Sequence, residues 1–223
     1  MSKNIAIDGP AGAGKSTIAK AVAKKLGFIY VDTGAMYRAM ALYLLRNGID
    51  KNDTAAIEKA CDNADISIDY VDGVQVVLLM GENVNGFIRT EEVGNMASVS
   101  SANKKVREKL VSLQQKLASE KSVVMDGRDI GTVVLPDSEC KIYLTASSSV
   151  RAKRRYDELV AKGEMCDLDI IEQDIIQRDH QDMTRENSPL KQADDAVLVD
   201  SSEMTIEEVE ETILNIANKC FEK

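Results

Sequence analysis

The sequence predicts an α/β fold in which helices pack around a parallel sheet and a small antiparallel sheet is inserted. Three observations lead to this prediction. Short apolar runs alternate with segments of helical spacing at the start of the chain, as is typical of parallel sheets. The pattern changes to a strongly β-forming stretch over 66–80, with a turn signal at Asp72-Gly73. Finally, 223 residues with 44% hydrophobic content can form one domain with a sizeable core.

The first elements are a buried strand and a helix that are joined by a glycine-rich turn. Ile5-Ala6-Ile7 is a short apolar run, and helical spacing follows from residue 15 to residue 25. Gly27 stands where helices commonly end in a left-handed residue. The run 28–31 predicts a second strand, and a second helix is expected over 35–48.

The middle of the chain predicts the inserted sheet and the helices on either side of it. A short helix is expected over 54–61, followed by strands over 66–70 and 74–80. A turn is expected at 81–83, and helical patterning returns from 91 to 120. The small sheet therefore interrupts an otherwise alternating α/β chain.

The last third of the chain predicts the remaining elements of the main sheet. Three apolar runs predict strands, at 123–125, 142–144 and 196–199. Two charge-rich segments with helical spacing lie between the last two strands, at 149–162 and 167–186. An amphipathic helix closes the chain over 205–219, with Thr205 and Glu208 at the spacing of a capping box.

The glycine-rich turn is predicted to bind phosphate. It satisfies the pattern G-x-x-x-x-G-K-[ST], with a strand before it and a helix after it, as such a loop requires. Glycines allow backbone N–H groups to converge on phosphate oxygens, and the helix N-terminus adds unpaired donors. Lys15 would contact the β and γ phosphates, and the Ser16 hydroxyl would ligate Mg²⁺. The predicted ATP-binding residues are Gly9, Pro10, Ala11, Gly12, Ala13, Gly14, Lys15, Ser16 and Thr17.

A second metal ligand is expected at Asp126, where the apolar run 123–125 ends. In P-loop proteins a carboxylate at this position holds Mg²⁺ directly or through water. The alternative is a simple N-cap, but the sequence from Asp126 to Thr132 is too elaborate for a cap alone. The D-x-x-G and N-K-x-D patterns of GTPase switches do not occur in the sequence, which argues against a hydrolytic switch.

Three arginines are grouped on one face of the helix expected over 149–162. Arg151, Arg154 and Arg155 occupy positions i, i+3 and i+4. A charged helix is usually a solvated face. In an acidic protein, however, this grouping favours a mobile lid whose guanidinium groups meet phosphate.

The following helix carries a second charged face. Arg178, Asp182 and Arg185 occupy positions i, i+4 and i+7. From spacing alone, an ordinary ladder of ion pairs is favoured here, and each such pair contributes only a few tenths of a kcal/mol.

Composition argues against several classes of protein. The formal net charge of −9 and a pI near 4.8 argue against a nucleic-acid-binding surface, which needs basic patches. Four scattered cysteines and a single histidine argue against a disulfide framework and a histidine–cysteine metal site. The chain starts directly with its first core strand and has no apolar stretch of membrane-spanning length. We therefore expect a cytoplasmic protein without a membrane partner.

With these segments placed, the sequence resembles the bacterial cytidylate kinases, which belong to the nucleoside-monophosphate kinase family of P-loop proteins. The resemblance covers essentially the whole chain and rests on motifs at 7–16, 32–38, 86–90, 126–134, 151–155 and 178–185. The stretches Thr-Gly-Ala-Met-Tyr-Arg at 33–38 and Asp-Gly-Arg-Asp-Ile-Gly-Thr at 126–132, with the inserted sheet, are particular to the cytidylate type.

The resemblance implies a three-layer P-loop kinase with a five-stranded parallel core sheet, built as a single domain over 1–223. It implies a monophosphate-binding subdomain at 33–111 and a mobile lid at 148–165. The core would then comprise 1–32, 112–147 and 166–223.

The implied activity is transfer of the γ-phosphoryl group of Mg·ATP to CMP or dCMP by a monomer, with Mg²⁺ as cofactor. The residues implied to bind the acceptor are Thr33, Tyr37, Arg38, Ser98, Arg107, Arg128, Asp129, Arg178, Asp182 and Arg185. The residues implied to act in catalysis are Lys15, Arg128, Arg151, Arg154, Arg155 and Arg185. Ser16 and Asp126 would hold the metal.

The implied place of Asp129 suits the chemistry of cytosine. A carboxylate would accept a hydrogen bond from the exocyclic amino group, and an arginine would serve the base's acceptors. Uracil has a carbonyl in place of the amino group and would face the carboxylate without a hydrogen bond.

Two other functions remain open at this point: a P-loop kinase for another small acceptor, such as UMP or shikimate, and a regulatory module that binds nucleotide without turnover. Arginines in two separate segments favour an enzyme, because a binding module needs only one phosphate site.

Overall fold

A computed structural model describes residues 2–222 of the chain. Its strands are β1 (Asn4–Asp8), β2 (Ile29–Asp32), β3 (Ile66–Val71), β4 (Val74–Leu79), β5 (Glu82–Asn83), β6 (Val123–Gly127), β7 (Cys140–Thr145) and β8 (Val197–Asp200). Its α-helices are α1 (Lys15–Leu26), α2 (Thr33–Arg46), α3 (Thr54–Asn63), α4 (Glu91–Ser100), α5 (Lys104–Glu120), α6 (Ser148–Ala161), α7 (Leu168–Thr184) and α8 (Ile206–Phe221). A π-helical turn at Ile130–Val134 follows β6.

The central sheet has the strand order β2-β6-β1-β7-β8, and all of its neighbouring strands are parallel. This confirms the predicted five-stranded parallel sheet. Ile7 in β1 lies opposite Asp126 in β6 and Ile142 in β7. The carboxyl ends of these strands therefore open at the same edge of the sheet, which is where open α/β sheets bind ligands.

The inserted sheet consists of β3, β4 and β5 and is antiparallel throughout. Ile66 pairs with Leu79, and both side chains are buried while their neighbours are more exposed. These residues pack against buried methionines of α2, among them Met36 and Met40. One face of the small sheet is therefore buried, and the predicted inserted antiparallel sheet is confirmed.

The central sheet is covered on both faces. On one face α1 and α8 contribute Val22 and Ile213 to a buried cluster with strand residues. On the other face α5 and the π-helical turn contribute Ala118 and Ile130, which pack against Met125. The central sheet is therefore the middle of three layers, with helices packed on each of its faces.

Local signals correctly predicted two helix ends. Gly27 has φ of 68° and terminates α1. The Thr205 hydroxyl accepts a hydrogen bond from the Glu208 amide while the Glu208 carboxylate accepts one from the Thr205 amide, so the capping box is confirmed. Between residues 2 and 222, no helix is both long enough and apolar enough to cross a bilayer.

Three local predictions differ from the structure. The helical stretch 91–120 is two helices, because the Asn103 side chain accepts hydrogen bonds from two backbone amides and starts α5 anew. The expected turn at 81–83 contains strand β5, which pairs with the end of β4. The π-helical turn at Ile130–Val134 was not predicted, and a long-range contact described below explains it.

Candidate active site

A cavity of about 1040 Å³ opens at the carboxyl end of the central sheet. Its walls come from the segments that follow β1, β2 and β6 and from helices α4 to α8. All the residues that the sequence and the resemblance assign to the site line this cavity, except Gly9 and Pro10 at the start of the glycine-rich loop. The fold thus brings together residues as far apart in the sequence as Ala11 and Arg185, although their individual roles stay predictions.

The glycine-rich loop depends on backbone shapes and close approaches that favour glycine. Gly12 and Gly14 have φ of 75° and 82°, in the left-handed region. A Cβ atom on Gly9 would lie 1.9 Å from the backbone oxygen of Leu144 in β7. Gly9 therefore allows the loop to leave β1 directly alongside the neighbouring strand.

Lys15 at the start of α1 is buried beneath the loop. Its Nζ donates a 2.6 Å hydrogen bond to the backbone oxygen of Pro10. Burial holds the pKa of this ammonium group well below its usual range, and the nearby Arg128 acts in the same direction. A phosphate anion at the loop would favour the charged form of Lys15.

Ser16 and Asp126 place two oxygen donors side by side. The Ser16 hydroxyl donates to one carboxylate oxygen of Asp126 at 2.8 Å, and Tyr30 donates to the other, also at 2.8 Å. Burial raises the pKa of Asp126, so a cation beside it would favour the carboxylate. This donor set fits Mg²⁺, which usually takes one or two carboxylates and completes its shell with phosphate and water. Residues 2–222 contain no cluster of three or more acidic, histidine or cysteine side chains that could hold a metal ion.

Arg107 and Asp129 form a buried ion pair at another part of the cavity wall. The Arg107 guanidinium also lies over the Tyr37 ring, 5.3 Å from its centroid. Arg185 approaches the second oxygen of Asp129, with Nη2 at 4.0 Å. These groups converge on one carboxylate, although α5, α2 and the segment after α7 supply them.

Three buried polar atoms around this carboxylate lack a hydrogen-bond partner in the described part of the chain. They are the Tyr37 hydroxyl, Nε of Arg107 and Nη2 of Arg185. Unpaired buried donors are costly, and native proteins rarely leave several together. Their convergence beside a cavity indicates a polar ligand with hydrogen-bond acceptors.

Asp8 anchors the segment that carries Asp129. Its two carboxylate oxygens accept hydrogen bonds from the backbone amides of Ile130 and Gly131, at 2.8 and 2.7 Å. These contacts start the π-helical turn and hold it against the end of β1. Burial raises the pKa of Asp8 to about 6, against the opposing effect of the two amide hydrogen bonds.

The arginines of the cavity differ in how they are paired. Arg128 donates to Asp182 at 2.7 Å, whereas Arg185 is 3.7 Å from the same carboxylate. Arg38 and Arg178 form no ion pair with any residue between 2 and 222 and both line the cavity. The ladder of ion pairs that spacing predicted on α7 is therefore wrong about Asp182. Its shortest ion pair is with Arg128, from the segment after β6, and not with an arginine of its own helix.

The three arginines of α6 all line the cavity but have different partners. Arg154 donates to the backbone oxygen of Ser201 at 2.8 Å, after β8. Arg155 is exposed and pairs with Glu158 on its own helix at 2.9 Å. Arg151 is buried against the glycine-rich loop, where Nη1 donates to the backbone oxygen of Ala11 at 2.8 Å.

A family model described as cytidylate kinase matches residues 5–219. The chain belongs to the cytidylate kinase family. It is 55% identical over 218 residues to a cytidylate kinase of Caldicellulosiruptor saccharolyticus, covering 98% of this chain and 96% of the relative. It is 51% identical over 213 residues to the cytidylate kinase of Listeria monocytogenes, covering 96% and 95% of the two chains.

A solved structure shares the fold at much lower identity. A gluconokinase from Sinorhizobium meliloti 1021 superposes with a TM-score of 0.50 at 14% identity, over 97% of this chain and 92% of the gluconokinase chain. The family match confirms the resemblance that the sequence motifs indicated, while the structural match supports the fold alone.

Sequence reasoning missed several residues that shape the site in this cytidylate kinase family member. Asp8 and Tyr30 contact the segments that carry Asp129 and Asp126. Asp8 ends a buried strand next to the loop, the same signal that pointed to Asp126. Arg89 pairs with Asp32 at the cavity wall, but the sequence offered no sign of that contact. Ser98 is exposed, and the nearby backbone oxygen that binds Arg107 belongs to Ser101, at 3.1 Å.

The close approach at Gly9 can be tested by substitution. Gly9→Ala forces its methyl group into the backbone of β7, and we expect a loss of about 4 kcal/mol or more in unfolding free energy. Gly14→Ala has open space and faces only the cost of a left-handed alanine, about 1–2 kcal/mol. Urea unfolding of both variants measures the difference. Equal losses would contradict the steric role of Gly9.

The raised pKa of Asp8 predicts a pH dependence of stability. Since the folded pKa of about 6 exceeds the ordinary value of 3.8, the folded state binds more protons between these values. The contribution of Asp8 is therefore fully present below about pH 4 and is lost as the pH rises through 6. We expect Asp8→Asn to remove this decline when unfolding free energies are compared from pH 4 to 7. The exposed Asp137→Asn is the control, and a slope unchanged by Asp8→Asn would contradict the assignment.

Proposed function

We propose that the protein transfers the γ-phosphoryl group of ATP to CMP or dCMP and releases CDP or dCDP with ADP. The observation that carries the choice of acceptor is the set of unpartnered buried donors around Asp129. Family membership supports the reaction class, and the names of its relatives support the acceptor.

The acceptor base is proposed to lie against Arg107 and Asp129. Oδ2 of Asp129 is taken by Arg107, which leaves Oδ1 to accept a hydrogen bond from the amino group of cytosine. The free Nε of Arg107 is a donor for an acceptor on the base. Uracil would place a carbonyl oxygen against the carboxylate, so the site would disfavour UMP.

The acceptor phosphate is proposed to lie among Arg38, Arg128 and Arg178. Two of these guanidinium groups have no carboxylate partner within residues 2–222, so an anion would compensate them. A phosphate monoester is largely ionised at neutral pH and needs no side-chain base. Catalysis then consists of positioning the acceptor oxygen in line and neutralising charge on the transferred group.

The donor phosphates are proposed to bind along the loop 9–17, with Lys15 moving from Pro10 to the β and γ phosphates. The cavity also has an apolar wall near the start of α8 that includes Met204, Ile206 and Val209. We propose that the donor base packs against this wall. Ser16 and Asp126 would hold Mg²⁺, which would supply positive charge to offset the charge that develops on the phosphates during transfer.

The lid at 148–165 and the monophosphate-binding subdomain at 33–111 belong to the same proposal. Arg155 holds only an exposed partner on its own helix, so it is free to turn toward the transferred group when the lid closes. Arg154 and Arg185 would add charge from two other sides. Closure would also exclude water and limit ATP hydrolysis.

An acceptor panel tests the function. ADP release is measured with Mg·ATP and CMP, dCMP, UMP, AMP, GMP or shikimate, and CMP and dCMP are expected to give the highest kcat/KM. Lys15→Ala should lower kcat/KM by about 10³-fold, because one preorganised charge on the transferred group is lost. Lys24→Ala, an exposed lysine on the same helix, is the control. Preference for another acceptor would refute the cytosine assignment, and no turnover with any acceptor would favour a binding module.

Asp129→Asn tests the base pocket. The substitution keeps the size of the side chain but supplies an amide donor that can meet the uracil carbonyl. We expect the ratio of kcat/KM for CMP over UMP to fall by about 10- to 100-fold. Thermal unfolding of the variant checks that loss of the pair with Arg107 has not unfolded it. A folded variant with the wild-type ratio would remove Asp129 from base recognition.

A further inference from the structure

A buried ion pair binds both backbone polar groups of one residue in the glycine-rich loop, Ala11. Nη1 of Arg151 in α6 lies 2.7 Å from Oδ2 of Asp179 in α7, and the two residues are only 6% and 8% exposed. The same Nη1 donates to the backbone oxygen of Ala11 at 2.8 Å. Oδ1 of Asp179 accepts a hydrogen bond from the backbone amide of Ala11 at 3.3 Å. Both polar groups of Ala11 are therefore satisfied by the pair.

We propose that Asp179 and Arg151 are positioning residues that keep the phosphate loop in its binding shape and tie it to α6 and α7. They act through the backbone of Ala11 and need no contact with the transferred group. This inference rests on the proposed function only in taking a nucleoside triphosphate as the ligand of the loop.

Contacts from outside the loop matter at Ala11 because of its two neighbours. Pro10 has no amide hydrogen to donate, and Gly12, which has a left-handed backbone, is the residue type with the most conformational freedom. Within the loop, the Lys15 side chain donates a hydrogen bond to the Pro10 oxygen. A lysine that binds phosphate gives up this contact, and the contacts of the ion pair with Ala11 then remain.

The remaining contacts of Arg151 support a positioning role. Its Nε donates to the backbone oxygen of Ala146 at 2.9 Å, which fixes the guanidinium at the start of α6. A Cβ atom on Gly12 would lie 3.3 Å from Cβ of Arg151, so the loop and the arginine are in close contact. A guanidinium held at Nε and Nη1 is not free to follow a migrating phosphoryl group. Its role therefore differs from the catalytic one that the resemblance implied.

The pair also connects the two ends of the cavity. Asp179 is adjacent on α7 to Arg178, and one turn before Asp182, both of which line the acceptor side. A shift of α7 would therefore move Ala11 and Arg178 together. The contacts of Ala11 would thus help to maintain the distance between the loop and the acceptor side of the cavity.

The test uses the full-length chain and measures Mg·ATP binding by calorimetry without any acceptor, so its result does not depend on which acceptor is used. Asp179→Asn keeps a side chain of the same size but loses the charge that holds Arg151. We expect its Kd for Mg·ATP to rise about tenfold. Asp174→Asn, an exposed carboxylate on the same helix, should bind as the wild type does.

A double variant separates positioning from stability. A buried ion pair can often be replaced by apolar residues without loss of stability. Arg151→Met combined with Asp179→Leu should therefore unfold near the wild-type temperature and still bind Mg·ATP about tenfold more weakly, because Ala11 has lost both partners. Wild-type Mg·ATP binding in this folded double variant, or in folded Asp179→Asn, would overturn the proposal. If no variant, and not even the wild type, phosphorylates CMP, the proposed function fails while the binding result still decides this inference.

Discussion

The parallel pairing of β1 with β6 is the constraint on which the rest of the site depends. It places Ile7 opposite Asp126 and Asp8 opposite Gly127, so the phosphate loop and the acidic segment leave the sheet together. The hydrogen bond from Ser16 to Asp126 and those from the turn to Asp8 both follow from this register. A slip of one residue would turn these side chains to the opposite face of the sheet and separate Ser16 from Asp126.

The cavity is rich in positively charged side chains although the protein as a whole is acidic. The chain carries a net charge of −9, yet nine arginines line the cavity at the carboxyl end of the central sheet. Part of this positive charge is balanced by the buried carboxylates of Asp129 and Asp179 and the half-buried carboxylate of Asp182. An anionic ligand would compensate guanidinium groups that have no such partner. An acidic surface with a locally basic cavity thus confines the attraction for phosphate to the site.

The carboxylates of the site serve different purposes although they lie close together. Asp8 binds two backbone amides and fixes a turn, whereas Asp126 binds two hydroxyl groups and faces the loop. Asp179 satisfies the backbone of the loop itself. Burial makes each charge costly, and each is compensated by specific donors. The active site is consequently held by short polar contacts between segments that are remote in sequence.

The sequence by itself determined the five strands of the central sheet, most helix ends and the glycine-rich loop, because apolar periodicity, caps and the glycine pattern act over a few neighbouring residues. It also located Asp126 near the end of a strand beside the loop, since the end of an apolar strand is a local signal, while its role as a metal ligand stays a prediction. Only the tertiary structure decided the partners of the charged groups. Asp8 accepts a hydrogen bond from the amide of Gly131, 123 residues away, and Asp179 accepts one from the amide of Ala11, 168 residues away. Asp182 pairs more closely with Arg128 than with the arginine that follows it on the same segment. The spacing of charges along one helix does not specify such contacts, because packing of the layers sets which segments face each other.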